Sequence, residues 1–197
     1  CCDEQRYFRP MSFERSFCIL FHKPKMYQKS YSQEGEDILL DKIFSYKSNG
    51  FYIDIGAHHQ KRFSNTYLLY LKGWRGINID AMPGSMDTFN KWRKHDINLE
   101  CAVNNQNETL KYYIFNEPAL NGFLEDLSIF RSGLDNYHIK TIIEIKTVTL
   151  SSILDHYLRN GQEIDFLSID VEGLEYNVLE SNNWGKYKPK IILVEIQ

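Results

Sequence analysis

Short apolar runs alternate with segments of helical period along most of the chain. Five of these runs predict strands, namely FYIDI (51–55), GINID (76–80), INLECAV (97–103), DFLSID (165–170) and KIILVEI (190–196). Their apolar residues fall on both faces, which is typical of parallel strands buried between two layers of helices. The pattern therefore predicts an α/β fold in which a mostly parallel sheet is covered by helices.

Five helices are predicted between the strands. The first covers residues 32–46, with Ser32 as N-cap and an apolar face of Ile38, Leu39, Ile43 and Phe44. The others begin near Ser64, after Pro83, at Thr149 and after Gly173.

One segment interrupts this alternation. The runs TLKYYIF (109–115) and IIEIKTVTL (142–150) predict a hairpin-like pair of strands. Loops longer than about 12 to 15 residues in a compact domain are usually functional or disordered. We therefore expect residues 116–141, which join the two strands, to be a ligand-binding loop.

Composition narrows the class of protein. The 197 residues are 43% hydrophobic and 25% charged with a net charge of -3, which is ordinary for a globular domain and offers no basic run for nucleic acid. No apolar run is long enough to span a membrane. The four cysteines, at positions 1, 2, 18 and 101, form no CxxC pair and indicate reduced thiols in a cytoplasmic protein.

The two ends of the chain differ from its middle. Residues 1–30 carry six Lys/Arg against three Asp/Glu and show no period, so we interpret them as an N-terminal extension of unknown role. The chain opens with Cys1 and stops inside the apolar run IILVEIQ, so we expect a fragment cut at both ends.

Acidic residues lie at the carboxyl ends of three predicted strands: Asp54, Asp80 and Asp170. In open parallel sheets, ligands bind at these ends. Gly56 permits close approach of the backbone, and Asp80 lies where a carboxylate can accept hydrogen bonds from two ribose hydroxyls. This arrangement predicts a nucleoside-containing cofactor.

The loop after the first strand indicates which cofactor. It reads GAHHQKR, with a single glycine, whereas binding of a dinucleotide pyrophosphate favours GxGxxG. S-adenosylmethionine has no pyrophosphate and carries a positive sulfonium, which Asp54 and Asp170 could face. The loop therefore favours S-adenosylmethionine.

Several long motifs occur in order: SQEGEDILL (32–40), GFYIDIGAHH (50–59), SNTYLLYLKGWRGINIDAMPGSM (64–86), INLECAV (97–103) and IDFLSIDVEGLEYNVLESNNW (164–184). Together they resemble the FkbM family of S-adenosylmethionine-dependent methyltransferases. The resemblance implies a class I methyltransferase domain over residues 31–197, with a Rossmann-like, mostly parallel sheet in a three-layer sandwich. It also implies O-methylation of a hydroxyl, often on a glycan sugar or a polyketide-type product. Gln60 and Gly122 depart from the family pattern, and the strands that normally finish the sheet are missing.

These arguments assign two sets of residues. The predicted cofactor-binding set is Gln33, Glu36, Asp54, Gly56, Ala57, Asp80, Ala81, Ala102 and Asp170. The predicted catalytic set is Asp170, Glu172 and His58, since Asp170 and Glu172 share a face in extended geometry and all three can accept a proton. Simpler interpretations stay open, because the acids could cap helices or turns, and His58 with His59 could contact a metal.

Two other functions stay open at this point. A nicotinamide-dependent oxidoreductase acting on a sugar nucleotide would keep Asp80 as the ribose acceptor, although the loop lacks its glycines. A non-catalytic binding module would keep the sheet without turnover. The expected partner is a small-molecule or glycan acceptor in each enzymatic case, and the sequence does not indicate the oligomeric state.

Overall fold

The computed structural model describes residues 29–134 and 136–195, which contain eight strands in two sheets. The strands are β1 (Phe51–Ile55), β2 (Arg75–Asp80), β3 (Ile97–Glu100), β4 (Ala102–Val103), β5 (Thr109–Phe115), β6 (Ile139–Val148), β7 (Phe166–Ile169) and β8 (Ile191–Val194). The central sheet has the order β3-β2-β1-β7-β8, and all of its pairings are parallel. The predicted α/β fold with a mostly parallel, Rossmann-like sheet is confirmed.

Six α-helices accompany the strands: α1 (Glu36–Ile43), α2 (Tyr67–Leu71), α3 (Met86–Trp92), α4 (Glu125–Ser132), α5 (Leu150–Tyr157) and α6 (Glu175–Glu180). Side chains of β1 alternate between the two faces of the sheet. Tyr52 belongs to an apolar cluster with α1 and α2, whereas Ile53 and Ile55 belong to a second cluster with α5 and α6. This alternation produces the three layers.

The predicted first helix is too long, and its apolar face is partly wrong. Helix α1 begins at Glu36 after Gly35, whose φ of +92° serves as the turn into the helix. Leu39 and Ile43 are exposed, while Leu40 and Phe44 are buried. The helix turns this way because Asp37 lies on its buried face. Asp37 can be fully buried because its carboxylate accepts hydrogen bonds from the Ser30 and Ser32 hydroxyls and the Tyr31 N–H.

The interrupting segment forms a second, three-stranded sheet in the order β4-β6-β5. Strand β5 is antiparallel to β6, and β4 is parallel to it. The segment predicted as one long loop contains a 3-10 turn (Pro118–Leu120) and helix α4, and β6 starts earlier than predicted. The predicted strand over 97–103 is divided at Cys101, because β3 pairs within the central sheet and β4 within the second.

The last helix and strand bounds and the predicted N-terminal extension can be compared with the described part of the structure. Helix α5 is capped by Thr149, whose hydroxyl accepts from the Ser152 N–H, and β8 ends at Val194. Residues 1–28 of the predicted extension lie outside the described residues. Across the part of the chain that is described, no helix combines the length and apolarity that crossing a membrane requires.

Candidate active site

A cavity of about 560 Å³ opens at the carboxyl ends of the central strands, with the second sheet and α4 along its other side. Its walls include most of the predicted site residues: Gln33, Gly56, His58, Asp80, Ala81, Ala102, Asp170 and Glu172. This is the edge of a parallel sheet at which ligands bind, and the size is typical of small-molecule sites. The sequence-predicted strand ends therefore meet at one cavity.

The loop after β1 is held against the end of β2. Both Gly56 and Ala57 donate their N–H groups to the Ile79 carbonyl, at 2.9 and 3.0 Å. Gly56 has a φ of +80°, and a Cβ on it would lie 1.6 Å from the Asp170 carbonyl oxygen. Only glycine fits here, because the loop passes directly over the end of β7.

Asp80 is held by backbone donors on both of its oxygens. Oδ2 accepts from the His58 N–H and Oδ1 from the Met82 N–H, each at 2.8 Å. Burial raises the pKa of Asp80, although these two N–H groups oppose the rise. Each oxygen keeps a further lone pair with which it can accept a ligand hydroxyl.

Three residues of the predicted cofactor-binding set are not in the cavity wall: Glu36, Asp54 and Ala57. Asp54 points to the α2 side of the sheet, where its carboxylate accepts from the Thr66 hydroxyl at 2.5 Å. Burial raises the pKa of Asp54. In this arrangement Asp54 supports the loop after β1 and does not face the cavity.

Arg93 is a supporting residue that the sequence reasoning missed. Its guanidinium is fully buried and donates to the Gln60 carbonyl, Thr66 Oγ1, Asn78 Oδ1 and Ser64 Oγ at 2.6 to 3.1 Å. These bonds fix the loop after β1 onto β2. No sequence signal distinguishes Arg93, since an arginine at a helix end followed by Lys94 is usually exposed.

The opposite wall carries carboxylates at the ends of β7 and β8. Glu172 forms an ion pair with Arg131 of α4 at 2.7 Å, and both side chains are only 14% exposed. Glu172 has a φ of +56°, so the extended geometry assumed for Asp170 and Glu172 is wrong, although both line the cavity. Glu195, which follows β8, also lines the cavity and was missed.

The pKa values of Asp170 and His58 are both shifted from their ordinary values. Burial, together with the nearby Glu195 and Glu172, raises the pKa of Asp170 to about 8, and its Oδ1 is buried without a hydrogen-bond partner. Burial and the neighbouring Arg62 lower the pKa of His58, whose Nε2 is also buried without a partner. At pH 7 these effects favour a protonated Asp170 and a neutral imidazole.

The second sheet supplies the aromatic part of the wall. The rings of Tyr112 and Phe123 lie 4.7 Å apart. Gly122 exchanges backbone hydrogen bonds with Tyr113, and a Cβ on it would lie 3.0 Å from the Cβ of Glu172. The departure at Gly122 thus allows close contact between the second sheet and the acidic wall.

Metal ligation was one interpretation of the histidine pair. His58 lines the cavity, and its ring is stacked on Phe63 at 6.2 Å. Over the described ranges, no three His, Cys, Asp or Glu side chains are grouped as a metal ion requires.

A parallel α/β sheet with an acid-lined cavity at its strand ends belongs to the class of Rossmann-like folds, in which ligands bind at this edge of the sheet. Comparison with known families defines the class more narrowly. The family model described as "Methyltransferase FkbM domain" matches residues 54–197. The match covers well over half of the chain, so the chain belongs to the FkbM methyltransferase family. Comparisons with curated proteins and with solved structures find no match.

The matched region begins within β1 and includes the other seven strands and the acidic wall. The motif SQEGEDILL (32–40), with Gln33 and Glu36, lies before the match. The family supports a methyltransferase and does not support the alternative of a nicotinamide-dependent oxidoreductase.

Proposed function

We propose that the chain is an S-adenosylmethionine-dependent O-methyltransferase that acts on a hydroxyl of a sugar, a glycan or a related natural product. The observation that carries this proposal is Asp80, a carboxylate fixed by two backbone N–H groups in the cavity wall next to Gly56. A carboxylate in this position can accept hydrogen bonds from both ribose hydroxyls of the cofactor.

The residues present fit this cofactor. Gly56 brings the backbone of the loop after β1 against the end of β7 in the cavity wall, and the loop offers no nest of glycines for a pyrophosphate. The acids Asp80, Asp170, Glu172 and Glu195 outnumber the bases Arg62 and Arg131 in the wall, which favours a cationic ligand. When bound, S-adenosylmethionine supplies an electrophilic methyl group on a sulfonium.

The apolar residues would hold the rest of the cofactor. Ala81, Ala102 and Val103 provide small apolar surface beside Asp80, where an adenine ring fits. Cys101 lies among them as a free thiol whose pKa is raised to about 11, mainly by burial. A cytoplasmic location, expected from the number and spacing of the cysteines in the sequence, is part of the proposal.

The acceptor would bind between the second sheet and the acidic wall. Tyr112 and Phe123 offer ring faces for the apolar side of a sugar. Holding the acceptor oxygen in line with the methyl group can contribute roughly 7 to 11 kcal/mol. Glu172, fixed by Arg131, would orient the acceptor. The neutral His58 would take the hydroxyl proton, or Asp170 would take it in the ionised form that becomes populated as the pH approaches its raised pKa of about 8.

Calorimetric binding tests the cofactor assignment. We expect S-adenosylhomocysteine to bind the unaltered chain and Asp80→Ala to weaken binding by about 100-fold or more, because two charge-assisted hydrogen bonds are lost. Asp87→Ala, which alters an exposed acid of α3, is the matched control and should bind normally. Binding of NAD(H) with no response to S-adenosylhomocysteine would overturn the proposal.

Methyl transfer tests the reaction. The chain is incubated with methyl-labelled cofactor and a panel of nucleotide sugars and glycans, and products are identified by mass spectrometry. We expect a labelled methyl ether on one acceptor. Tight cofactor binding without transfer to any member of a broad panel would instead favour a non-catalytic binding module.

A further inference from the structure

Arg93, which follows α3, is a buried charge without an acidic partner. Its side chain is fully buried, and among the described residues no carboxylate forms an ion pair with it. Its Cζ lies 5.2 to 5.7 Å from the ring centroids of Tyr67, Tyr70 and Phe89. Arginine is almost never fully buried unless it is paired. The hydrogen bonds of the guanidinium must therefore account for its position.

Three of these hydrogen bonds end on the second half of the loop after β1. Nε of Arg93 donates to the Gln60 carbonyl at 2.9 Å, Nη2 to Ser64 Oγ at 2.6 Å and Nη1 to Thr66 Oγ1 at 2.7 Å. The first half of the loop is held separately, because its N–H groups donate to the end of β2. Arg93 therefore fixes residues 60–66 independently of the bonds that hold the cofactor-binding end of the loop.

Phe63 lies between two of the residues that Arg93 holds and connects them to His58. Both Phe63 and His58 have left-handed backbones, with φ of +55° and +52°. Residues other than glycine keep this conformation only where their surroundings impose it. The two rings are stacked, with 6.2 Å between centroids and 20° between planes, and both side chains line the cavity.

The imidazole of His58 is held by rings rather than by a hydrogen bond. A functional histidine is usually oriented by a hydrogen bond to one ring nitrogen. Here Nε2 is buried and has no hydrogen-bond partner among the described residues. The ring contacts of His58 are with Phe63 and with His59, whose ring is tilted by 46° at 6.4 Å. The stack on Phe63 is therefore the contact that can set the orientation of the imidazole.

We propose, resting on the proposed methyltransferase function with His58 as the base, that Arg93 and Phe63 are positioning residues for the His58 imidazole. Arg93 fixes the loop on both sides of Phe63, and Phe63 fixes the imidazole by stacking. Neither side chain is hydrogen-bonded to Asp80. Loss of either should therefore lower the rate of methyl transfer and spare cofactor binding.

NMR of the protein alone tests the stack. The ring signals of His58, identified by their absence in His58→Gln, are compared in the unaltered chain, Phe63→Leu and Phe63→Tyr. We expect Phe63→Leu to remove the ring-current shift of these signals and Phe63→Tyr to retain it, because tyrosine keeps the aromatic ring. The control Phe130→Leu alters an exposed ring of α4 and should leave the signals unchanged. Equal His58 signals in the unaltered chain and Phe63→Leu would overturn the stack.

The same signals test Arg93. Arg93→Lys keeps the charge, but one ammonium group cannot replace the planar fork that reaches three acceptors, so the His58 signals should move. Lys94→Gln, which alters the neighbouring exposed cation, is the control. If thermal denaturation shows that Arg93→Lys does not fold, Ser64→Ala removes the bond beside Phe63 and should move the signals in the same direction by less. Unchanged signals in whichever of these variants folds would overturn the role of Arg93.

Turnover tests the positioning. Phe63→Leu should lower kcat about 10-fold to 100-fold, which is the lower range of general-base effects, without changing the dissociation constant of S-adenosylhomocysteine. Phe63→Tyr should restore kcat. A lost ring-current shift with unchanged kcat would overturn the positioning role. If the unaltered chain methylates no acceptor, the proposed function fails, whereas the NMR comparison still decides whether Arg93 and Phe63 hold the imidazole.

Discussion

The two ends of strand β7 carry aspartates in opposite electrostatic situations. Asp165, just before the strand, accepts from Lys47 Nζ at 2.6 Å, Lys190 Nζ at 2.9 Å and the Phe51 N–H at 3.0 Å. Although burial opposes them, these donors lower the pKa of Asp165. Asp170, just after the strand, faces other carboxylates, and its pKa is raised to about 8 by burial and by those charges.

The comparison shows that the aspartates at the two ends of one strand have different roles, one in stability and the other at the candidate active site. Asp165 has cationic partners and no access to the cavity, which is typical of a residue that stabilises the fold. Asp170 lines the cavity, and within the described ranges no lysine or arginine is paired with it. A carboxyl group left uncompensated in a cleft is the usual mark of a functional residue.

The largest expected effect is on turnover at the carboxyl end. Asp170→Asn removes one of the two proposed proton acceptors, so we expect kcat for methyl transfer at pH 8, where Asp170 is partly ionised, to fall by about 10² to 10⁴ if Asp170 is the base. Its free energy of unfolding at pH 8 should be unchanged or higher, because an unfavourable charge is removed. Denaturant titration and labelled-methyl assays measure the two quantities. A large loss of stability with normal kcat would reverse the roles assigned to the two ends.

The backbone beside Asp170 should be nearly as sensitive. Gly56→Ala brings a Cβ within 1.6 Å of the Asp170 carbonyl, so we expect a loss of about 4 kcal/mol in the free energy of unfolding. Gly161 has almost the same φ, +78°, but open space around it. Gly161→Ala should therefore cost only about 1 to 2 kcal/mol. Similar losses for both variants in thermal denaturation would contradict crowding at Gly56.

At the other end of β7, Asp165→Asn should destabilise the fold without affecting cofactor binding. It leaves Lys47 and Lys190 beside an uncharged amide, and we expect a loss of about 3 kcal/mol. Glu163→Gln, which removes a largely exposed partner of Lys190, should cost no more than about 1 kcal/mol. Denaturant titration with and without S-adenosylhomocysteine separates stability from binding. A weakened affinity for S-adenosylhomocysteine in Asp165→Asn would contradict a purely stabilising role for Asp165.

The smallest effect is on the pH dependence of stability. The folded pKa of Asp170 lies above its ordinary value, so the folded state binds the extra proton, and stability falls as pH rises from about 4 to 8. Asp165 has a lowered folded pKa, so its contribution is present at neutral pH and is lost as pH falls below about 4. Between pH 6 and 8, Asp170→Asn should flatten the decline by about 1 kcal/mol after allowance for solvent screening. Parallel curves for the two proteins would argue against the raised pKa.

Much of the fold could be predicted from the sequence, because buried parallel strands appear in it as short apolar runs. The failures have local physical causes. Leu39 and Ile43 were predicted inward because the periodicity of a helix does not reveal that an acid such as Asp37 can be buried by three hydrogen bonds. The continuous run 97–103 gave no sign that its two halves pair in different sheets.

Part of the candidate site could be predicted from the sequence, because acids at the carboxyl ends of parallel strands lie at the same edge of the sheet. Asp80 and Asp170 reach the cavity, while Asp54, one position before the end of β1, faces a helix layer instead. Glu195 was missed because the last strand was predicted to continue through residue 196, whereas it ends at Val194. The rule of strand-end acids would have found Glu195 had the strand been ended two residues earlier.

Cys101 is the single residue between β3 of the central sheet and β4 of the second, and it lines the cavity. Its N–H donates to the Asp80 carbonyl at 3.0 Å, so the junction is also bonded to the residue proposed to bind ribose. The same residue therefore links the two sheets, contributes to the cavity wall and is bonded to the backbone of Asp80. A larger side chain at this position would disturb all three at once.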